Sequence, residues 1–512
     1  MSSGVRLART CLGALVLLGP AAPALAAQPL RSEPVAAGYH LFYSGDKLGA
    51  IRRFERLSAE DPNDLPARFG LLFVEDQRLD ADPTLAPAFE KALDAFIDVV
   101  DKRRDRNARD AEALLYAAQA YLLRGDYRFE HDKSEWGAIR DAARSKGLVE
   151  SYLKLRPEDA DAYLTLGLCN YYLGIAPAFV HFLRFLLFLP GGNRAEGLKQ
   201  IERVAAQGTL LAPLAQAELV DIYASFEDRP AEALVEAERF TAQYPDNDDV
   251  TFALASLYAG PVMEDPARAG GLYDAVLTRR QGDDSPDGAA ARATAVLGLA
   301  ATEFDDWRCD EAVATLTAAI DARPHRPDWA LPTLLLRRGL YRALIGDLNA
   351  DADVRRVLDD PALAKWRTPA TDLRAQIGAR QHSGEAAVYE ALIPANRLAA
   401  ERQWDEARRA YEAVRAAHPN APLVRYRIAL LDFSDGQVDR ARPAFEALAS
   451  GSQVPDNIKA FSLLYIGRID DLAGRREEAQ KAYQKVVDNY GKQEEPVSYA
   501  RVGLITAYRR PD

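Results

Sequence analysis

Cysteine is scarce in this sequence and histidine is hardly more common, and those two shortages remove most metal and redox chemistry. Three cysteines occur in 512 residues. Cys11 lies near the N-terminus, and Cys169 and Cys309 are far apart, so neither a disulfide framework nor a cysteine-rich metal site is laid out. The latter two read as small buried hydrophobes. The six histidines, His40, His131, His181, His325, His382 and His418, never fall within one helical turn of each other, and His-Glu-x-x-His is absent. Also missing are the Gly-x-Ser-x-Gly elbow, the phosphate-binding Gly-x4-Gly-Lys-Ser/Thr loop and the Gly-x-Gly-x-x-Gly fingerprint. No catalytic residue, metal ligand or cofactor is therefore expected. An excess of basic residues is lacking too. The net charge of −12 argues against nucleic acid as a partner, because such binding relies on Lys and Arg neutralising phosphates. Strand-like alternation of useful length does not occur.

What is present begins with a processing segment. Arg6 and Arg9 form a short basic region, Cys11–Leu18 is apolar, and Ala24-Leu25-Ala26 is an Ala-x-Ala cleavage site. This is the layout of a secretory signal peptide over residues 1–26, too short in its apolar part to anchor in a bilayer. Ala8-Arg9-Thr10 before Cys11 lacks the small-apolar run of a lipoprotein signal. Cleavage near Ala26 removes two arginines and no acid, lowering the net charge by two to −14. The expectation is an exported protein of the periplasm or the outer face of a bacterial envelope. The mature chain exceeds what one compact core usually serves.

The stretch Trp404–Pro419 supplies the organising pattern. Ala407, Tyr411 and Val414 share one helical face, and Pro419 closes the segment. Ala441 and Phe445 repeat Ala407 and Tyr411 after 34 residues, and Ala479 and Tyr483 repeat them after a further 38. The Ala-to-Pro interval of twelve recurs at Ala50–Pro62, Ala233–Pro245 and Ala312–Pro324, and Gly38–Gly45 matches Gly467–Gly474 at seven. Small residues are required where two helices cross closely, glycine suits the turn, and proline stops the second helix. Periodicity of this length marks a helical solenoid, in which each repeat packs on its neighbours. In this register Ala407 and Ala479 lie at crossings and Arg408 on the exposed face.

On these residues the chain resembles the tetratricopeptide-repeat (TPR) superfamily over most of 35–510. The resemblance implies an all-α, right-handed solenoid of about ten or eleven helical hairpins, some degenerate. We expect an N-terminal array over 35–280 carrying an apolar insert at 175–192, a polar loop at 281–290, and a C-terminal array over 291–512 ending in a capping helix, Tyr499–Tyr508. Asp126–Trp136 should interrupt a hairpin, with Arg124-Gly125-Asp126 as a repeat turn. Residues 361–386 should form a second hinge, and Asp246-Asn247-Asp248-Asp249 a solvated turn.

The departure from the pattern lies at 160–205. Gly167 and Gly197 occupy the two small-residue places of a pair but stand 30 residues apart, against twelve from Gly467 to Ala479. The intervening Ala178–Pro190 is apolar nearly all round, with His181 and Arg184 on its one polar stripe. It reads as a plug filling the solenoid's hollow, or as a docking surface for a peptide or lipid. Membrane or lipid contact through 178–190 is the third use, although thirteen residues fall short of the ~20 of a spanning helix. The candidate binding residues are Tyr171, Tyr172, Phe179, His181, Phe182, Arg184 and Phe185. An apolar insert ending in Pro-Gly-Gly-Asn-Arg is similar to one in uncharacterised exported bacterial TPR proteins.

The functional expectation is a non-catalytic scaffold or adaptor for a protein or peptide partner in envelope assembly or secretion. Two alternatives stand beside it: a lipid or small-molecule carrier using the insert, and an enzyme or enzyme subunit with a site around His181, Arg184 and Glu196. The resemblance implies that first helices such as Asp161–Leu173, Ala215–Ala224, Leu331–Leu344 and Phe461–Leu472 build the concave face. The sequence carries no signal for oligomeric state.

Overall fold

A computed structural model describes residues 32–510 apart from 132, 176–190, 228, 261–262, 325, 348 and 384. Twenty-four α-helices and no strand occur among the described residues. They form eleven hairpins. In chain order these are 33–43 with 47–60, 65–76 with 86–106, 111–130 with 135–155, 162–175 with 194–207, 212–221 with 230–243, and 248–259 with 266–279. Then come 286–305 with 309–321, 330–344 with 350–359, 385–400 with 404–417, 422–434 with 438–450, and 456–472 with 476–489. Arg367–Ser383 is an additional helix, and Glu494–Ile505 covers the last hairpin.

The repeat grammar has a direct packing cause. Ala50, Ala233, Ala312, Ala407, Ala441 and Ala479 are all fully buried at helix crossings. At two of them the ring four residues later, Phe54 or Tyr483, fits between glycines of the two helices that flank its own. A Cβ on Gly38 or Gly70 would lie 2.5 or 2.6 Å from the Phe54 ring, and one on Gly467 or Gly503 would lie 2.5 or 2.7 Å from Tyr483. Burying such a ring stabilises by about 1.5–3 kcal/mol, and the glycines let the helices close around it.

The residue five before Ala50, Ala312, Ala407, Ala441 and Ala479 turns the chain. Gly45, Gly436 and Gly474 have φ of 84°, 81° and 73°, and Trp307 and Arg402 adopt 61° and 58° at the same offset from Ala312 and Ala407. Glu264, five before the buried Ala269, has φ 50°. The turn demands a left-handed residue; glycine is its cheapest occupant rather than its only one.

Several boundaries differ from expectation. Ala111–Glu130 is one uninterrupted helix, and the next helix is Glu135–Leu155. Arg124-Gly125-Asp126 is therefore mid-helix and not a turn: Gly125 sits 3.2 Å (from its would-be Cβ) from the Ala138 carbonyl. One glycine costs a helix only about 1 kcal/mol, less than the burial of Tyr121, Leu123 and Tyr127 around it returns. The loop expected at 281–290 is shorter, because Ser285 caps a helix beginning at Pro286 by accepting from Gly288 N at 3.0 Å. Val276 and Ala291 belong to the same apolar core on either side of that turn. Within 361–386 lie a short 3-10 segment, Pro361–Trp366, and the helix Arg367–Ser383.

The array curls back on itself. Tyr43 Oη donates to the Leu210 carbonyl at 2.9 Å, and Asn247 Nδ2 donates to the Tyr43 carbonyl at 3.0 Å, the latter pair 204 positions apart. Lys47 pairs with Asp249 at 3.0 Å and Arg78 with Asp287 at 2.9 Å. The expected solvated turn at Asp246–Asp249 is thus half buried. Asn247 and Asp248 are 7% and 6% exposed, and Asp248 is gripped by Arg279 and Arg280 at 2.6 Å each.

Candidate functional site

Where the curl closes, it leaves a hollow of about 570 Å³. Its wall draws on the ends of several first helices and the turns beside them: Asp76 and Asp80, Asp126 and Glu130, Asp249 and Phe252, Asp287 and Thr294, and Trp329. Asp249 and Asp287 lie in the first turns of their helices, whereas Asp76, Asp126 and Glu130 share another local feature. The helices Leu65–Asp76, Ala111–Glu130 and Ala212–Asp221 carry acids in or next to their last turn, where the helix dipole already disfavours negative charge.

The electrostatics follow from this crowding. Enclosure by protein, with the charges of Asp126 and Asp80 beside it, pushes the Asp76 carboxyl up to about 7. Asp126 keeps contact with water inside the hollow, yet the protein around it and the charge of Glu130 raise it to about 6, against a lowering from His131. Asp126 also links this wall to a second acidic ledge. Burial and the charges of Asp221 and Asp126 push Glu218 up to about 8. Lys47 and Arg280, which line the hollow, and Arg78 are already engaged by Asp249, Asp248 and Asp287. Among the described residues no ion pair reaches Asp76, Asp80 or Asp126. A hollow of this kind can accept cations and hydrogen-bond donors. Among the described residues, no group of three His, Cys, Asp or Glu side chains is arranged to hold a metal ion.

Of the expected binding residues, Phe179, His181, Phe182, Arg184 and Phe185 lie outside the described residues, as does most of the apolar insert. Tyr171 is fully buried, its hydroxyl donating to Glu227 at 2.7 Å. Tyr172 is 38% exposed and packs edge-on against Phe226, itself 45% exposed. Burial and the charges of Glu218, Asp221 and Asp126 raise its hydroxyl well above the usual phenol range, so Tyr172 stands at the edge of the acidic ledge. The small-residue assignments at the insert's two ends agree with the geometry: a Cβ on Gly197 would lie 2.5 Å from Tyr171 N. Glu196, named with His181 and Arg184, is on the surface and accepts from Gln200 Nε2 at 3.3 Å.

Sequence reasoning missed the hollow's carboxylates, although acids at the C-terminal ends of three first helices were visible. It also missed a set of buried arginine–aspartate links. Asp141, Asp353, Asp432 and Asp470 are 2–6% exposed and are held by Arg124 and Arg128, Arg338 and Arg342, Arg408, and Arg442 and Arg475. Arg408 is therefore not on a free surface but 2.5 Å from Asp432.

Comparison with known proteins agrees with this architecture. Family models described as tetratricopeptide repeat match residues 395–457 and 461–492. No curated protein matches. Among solved structures, a thermophilic TPR protein of Thermus thermophilus is 18% identical, covering 44% of this chain and 96% of its own, with a TM-score of 0.28. A tetratricopeptide repeat protein from Parabacteroides merdae is 15% identical over 56% of this chain and 98% of its own, TM-score 0.24. An IFIT1 monomeric mutant with Gppp-AAAA is 11% identical over 90% and 91%, TM-score 0.29. Residues 395–457 and 461–492 therefore carry repeats of the tetratricopeptide-repeat superfamily, and the eleven stacked hairpins extend the same all-α pattern along the array.

Proposed function

We propose that this protein is a non-catalytic scaffold that holds a segment of a partner protein in the hollow of its N-terminal array, and that the segment bears lysine or arginine. TPR repeats generally mediate protein–protein interaction, and first helices supply the wall. The observation that carries the reading is the carboxylate set Asp76, Asp80 and Asp126, crowded in a 570 Å³ hollow without an ion pair among the described residues. Their mutual repulsion is relieved when a cation enters, so part of the binding free energy is stored in the free protein. The motif layout of residues 1–26 supports export, with the partner then a component of the envelope.

The test is affinity capture from envelope fractions with wild type and an Asp80→Lys/Glu130→Lys variant. Both positions are exposed to the hollow, so folding should be kept. The same partner should be retained by wild type and lost by the variant. Retention by both removes the hollow from the interaction.

A further inference from the structure

At the other end of the array a second inner surface is already occupied by the chain itself. After the helix Glu494–Ile505 the chain leaves helical geometry at Thr506 (φ −118°, ψ 130°) and crosses the first helices of the last two hairpins, Pro422–Ser434 and Asp456–Leu472. Three features hold it. Tyr508 N donates to Asp471 Oδ2 at 2.8 Å. The Tyr508 ring lies 6.1 Å from that of Phe433, with the Arg468 guanidinium 4.5 Å from its centroid. Arg510 donates to the Phe433 carbonyl at 2.8 Å and stacks its guanidinium 5.4 Å above the Phe433 ring.

The receiving groups are buried and already partnered. The side chain of Asp471 is fully buried and also accepts from Arg476 at 3.0 Å and from Tyr483 Oη at 2.8 Å. Arg468 is 4% exposed, flanked by Tyr465 and Tyr499 as well, and tied to Glu264 from a turn 204 positions earlier. Phe433 is 4% exposed, and its carbonyl lies in the last turn of its helix, where the dipole favours a cation. The occupant, by contrast, is lightly held: Thr506, Ala507, Arg509 and Arg510 are exposed, and Tyr508 is half-buried.

We infer that Thr506–Arg510 is a strap bound to a recognition site of the last two hairpins, and that this site takes a partner segment carrying an aromatic residue followed two positions later by arginine. The buried aspartate reads the backbone N–H, the Phe433–Arg468 surface reads the ring, and the helix end with the Phe433 face reads the guanidinium. A short tether gives the strap an effective concentration on the order of millimolar, so it competes with any segment of the same chemistry. This site is separate from the acidic hollow and does not depend on what the hollow binds.

The test uses the full chain and a fluorescein-labelled peptide, Thr-Ala-Tyr-Arg-Arg, followed by anisotropy. The Tyr508→Ala/Arg510→Ala variant should half-saturate at a concentration at least tenfold below that of wild type, and the peptide Thr-Ala-Ala-Arg-Arg should not bind. Equal half-saturation, or no binding to a folded variant, overturns the inference. Should circular dichroism show the variant unfolded, hydrogen exchange on wild type decides the matter. Excess peptide should speed exchange at the Tyr508 amide, and an unchanged rate overturns the inference.

Discussion

Three consecutive positions on the helix Trp404–Ala417 separate the forces that hold a repeat together. Ala407 is fully buried at a crossing, so Ala407→Leu inserts three carbons where no space exists and should cost roughly 1–3 kcal/mol. Arg408 has 28% of its side chain exposed and pairs at 2.5 Å with Asp432, whose side chain is 8% exposed. Arg408→Leu leaves that aspartate buried without its cation. Complete loss of a buried pair costs 3–5 kcal/mol, and the partial exposure of Arg408 places the expected loss near the bottom of that range, about 3 kcal/mol. Arg409 is 72% exposed and makes only a surface pair with Glu406, so Arg409→Leu should change stability by about 0.5 kcal/mol or less. Urea unfolding, monitored by far-ultraviolet circular dichroism under one set of conditions, measures all three. The predicted order is Arg408→Leu at least as damaging as Ala407→Leu, and Arg409→Leu nearly silent. An Arg409→Leu loss equal to that of Ala407→Leu would refute the assigned register, and a silent Arg408→Leu would refute the role of the arginine–aspartate links.

Other outcomes follow from the same geometry. Asp161, 3% exposed, accepts from Thr209 N, Leu210 N and Leu211 N within 3.2 Å, so Asp161→Ala should lose roughly 3 kcal/mol in urea melts by stranding these donors. Arg402 is exposed at φ 58°; Arg402→Gly should stabilise by about 0.5–1 kcal/mol through relief of the left-handed backbone, where Arg409→Gly, mid-helix, should destabilise by about 1 kcal/mol. Asp76 and Glu218 titrate near 7 and 8 when folded, above their ordinary values. The folded chain therefore retains protons that the unfolded chain has released, and stability should fall as pH rises from about 4.5 to 8, with Glu218→Gln flattening the fall. Intact mass of the exported form should show residues 1–26 removed, and full-length mass in the envelope fraction would contradict the signal-peptide reading.

The legible part of the fold was whatever repeats. Crossing alanines, ring-bearing positions and turn glycines recur at fixed offsets because close helix contact permits few residue types there, and Ala407, Ala441 and Ala479 were readable for that reason. The turns at Trp307 and Arg402 were less so, since a left-handed residue other than glycine leaves no compositional trace. Gly125 misled because glycine in mid-helix looks like a turn until its neighbours' burial is known. The arginine links had a local sign in Ala407-Arg408 and Ala441-Arg442, but their partners Asp432 and Asp470 lie on the following helix and only the three-dimensional packing pairs them. The hollow was hidden for the same reason on a larger scale: Asp76, Asp126 and Asp287 meet only because the array curls through some two hundred residues.

The central claim is tested most directly by photocrosslinking in cells. A photoreactive phenylalanine analogue placed at Thr294, on the wall of the hollow, should capture a discrete polypeptide, and the same group at Arg409, on the outer surface, should not. Capture from Arg409 alone, or from neither position, would contradict the account.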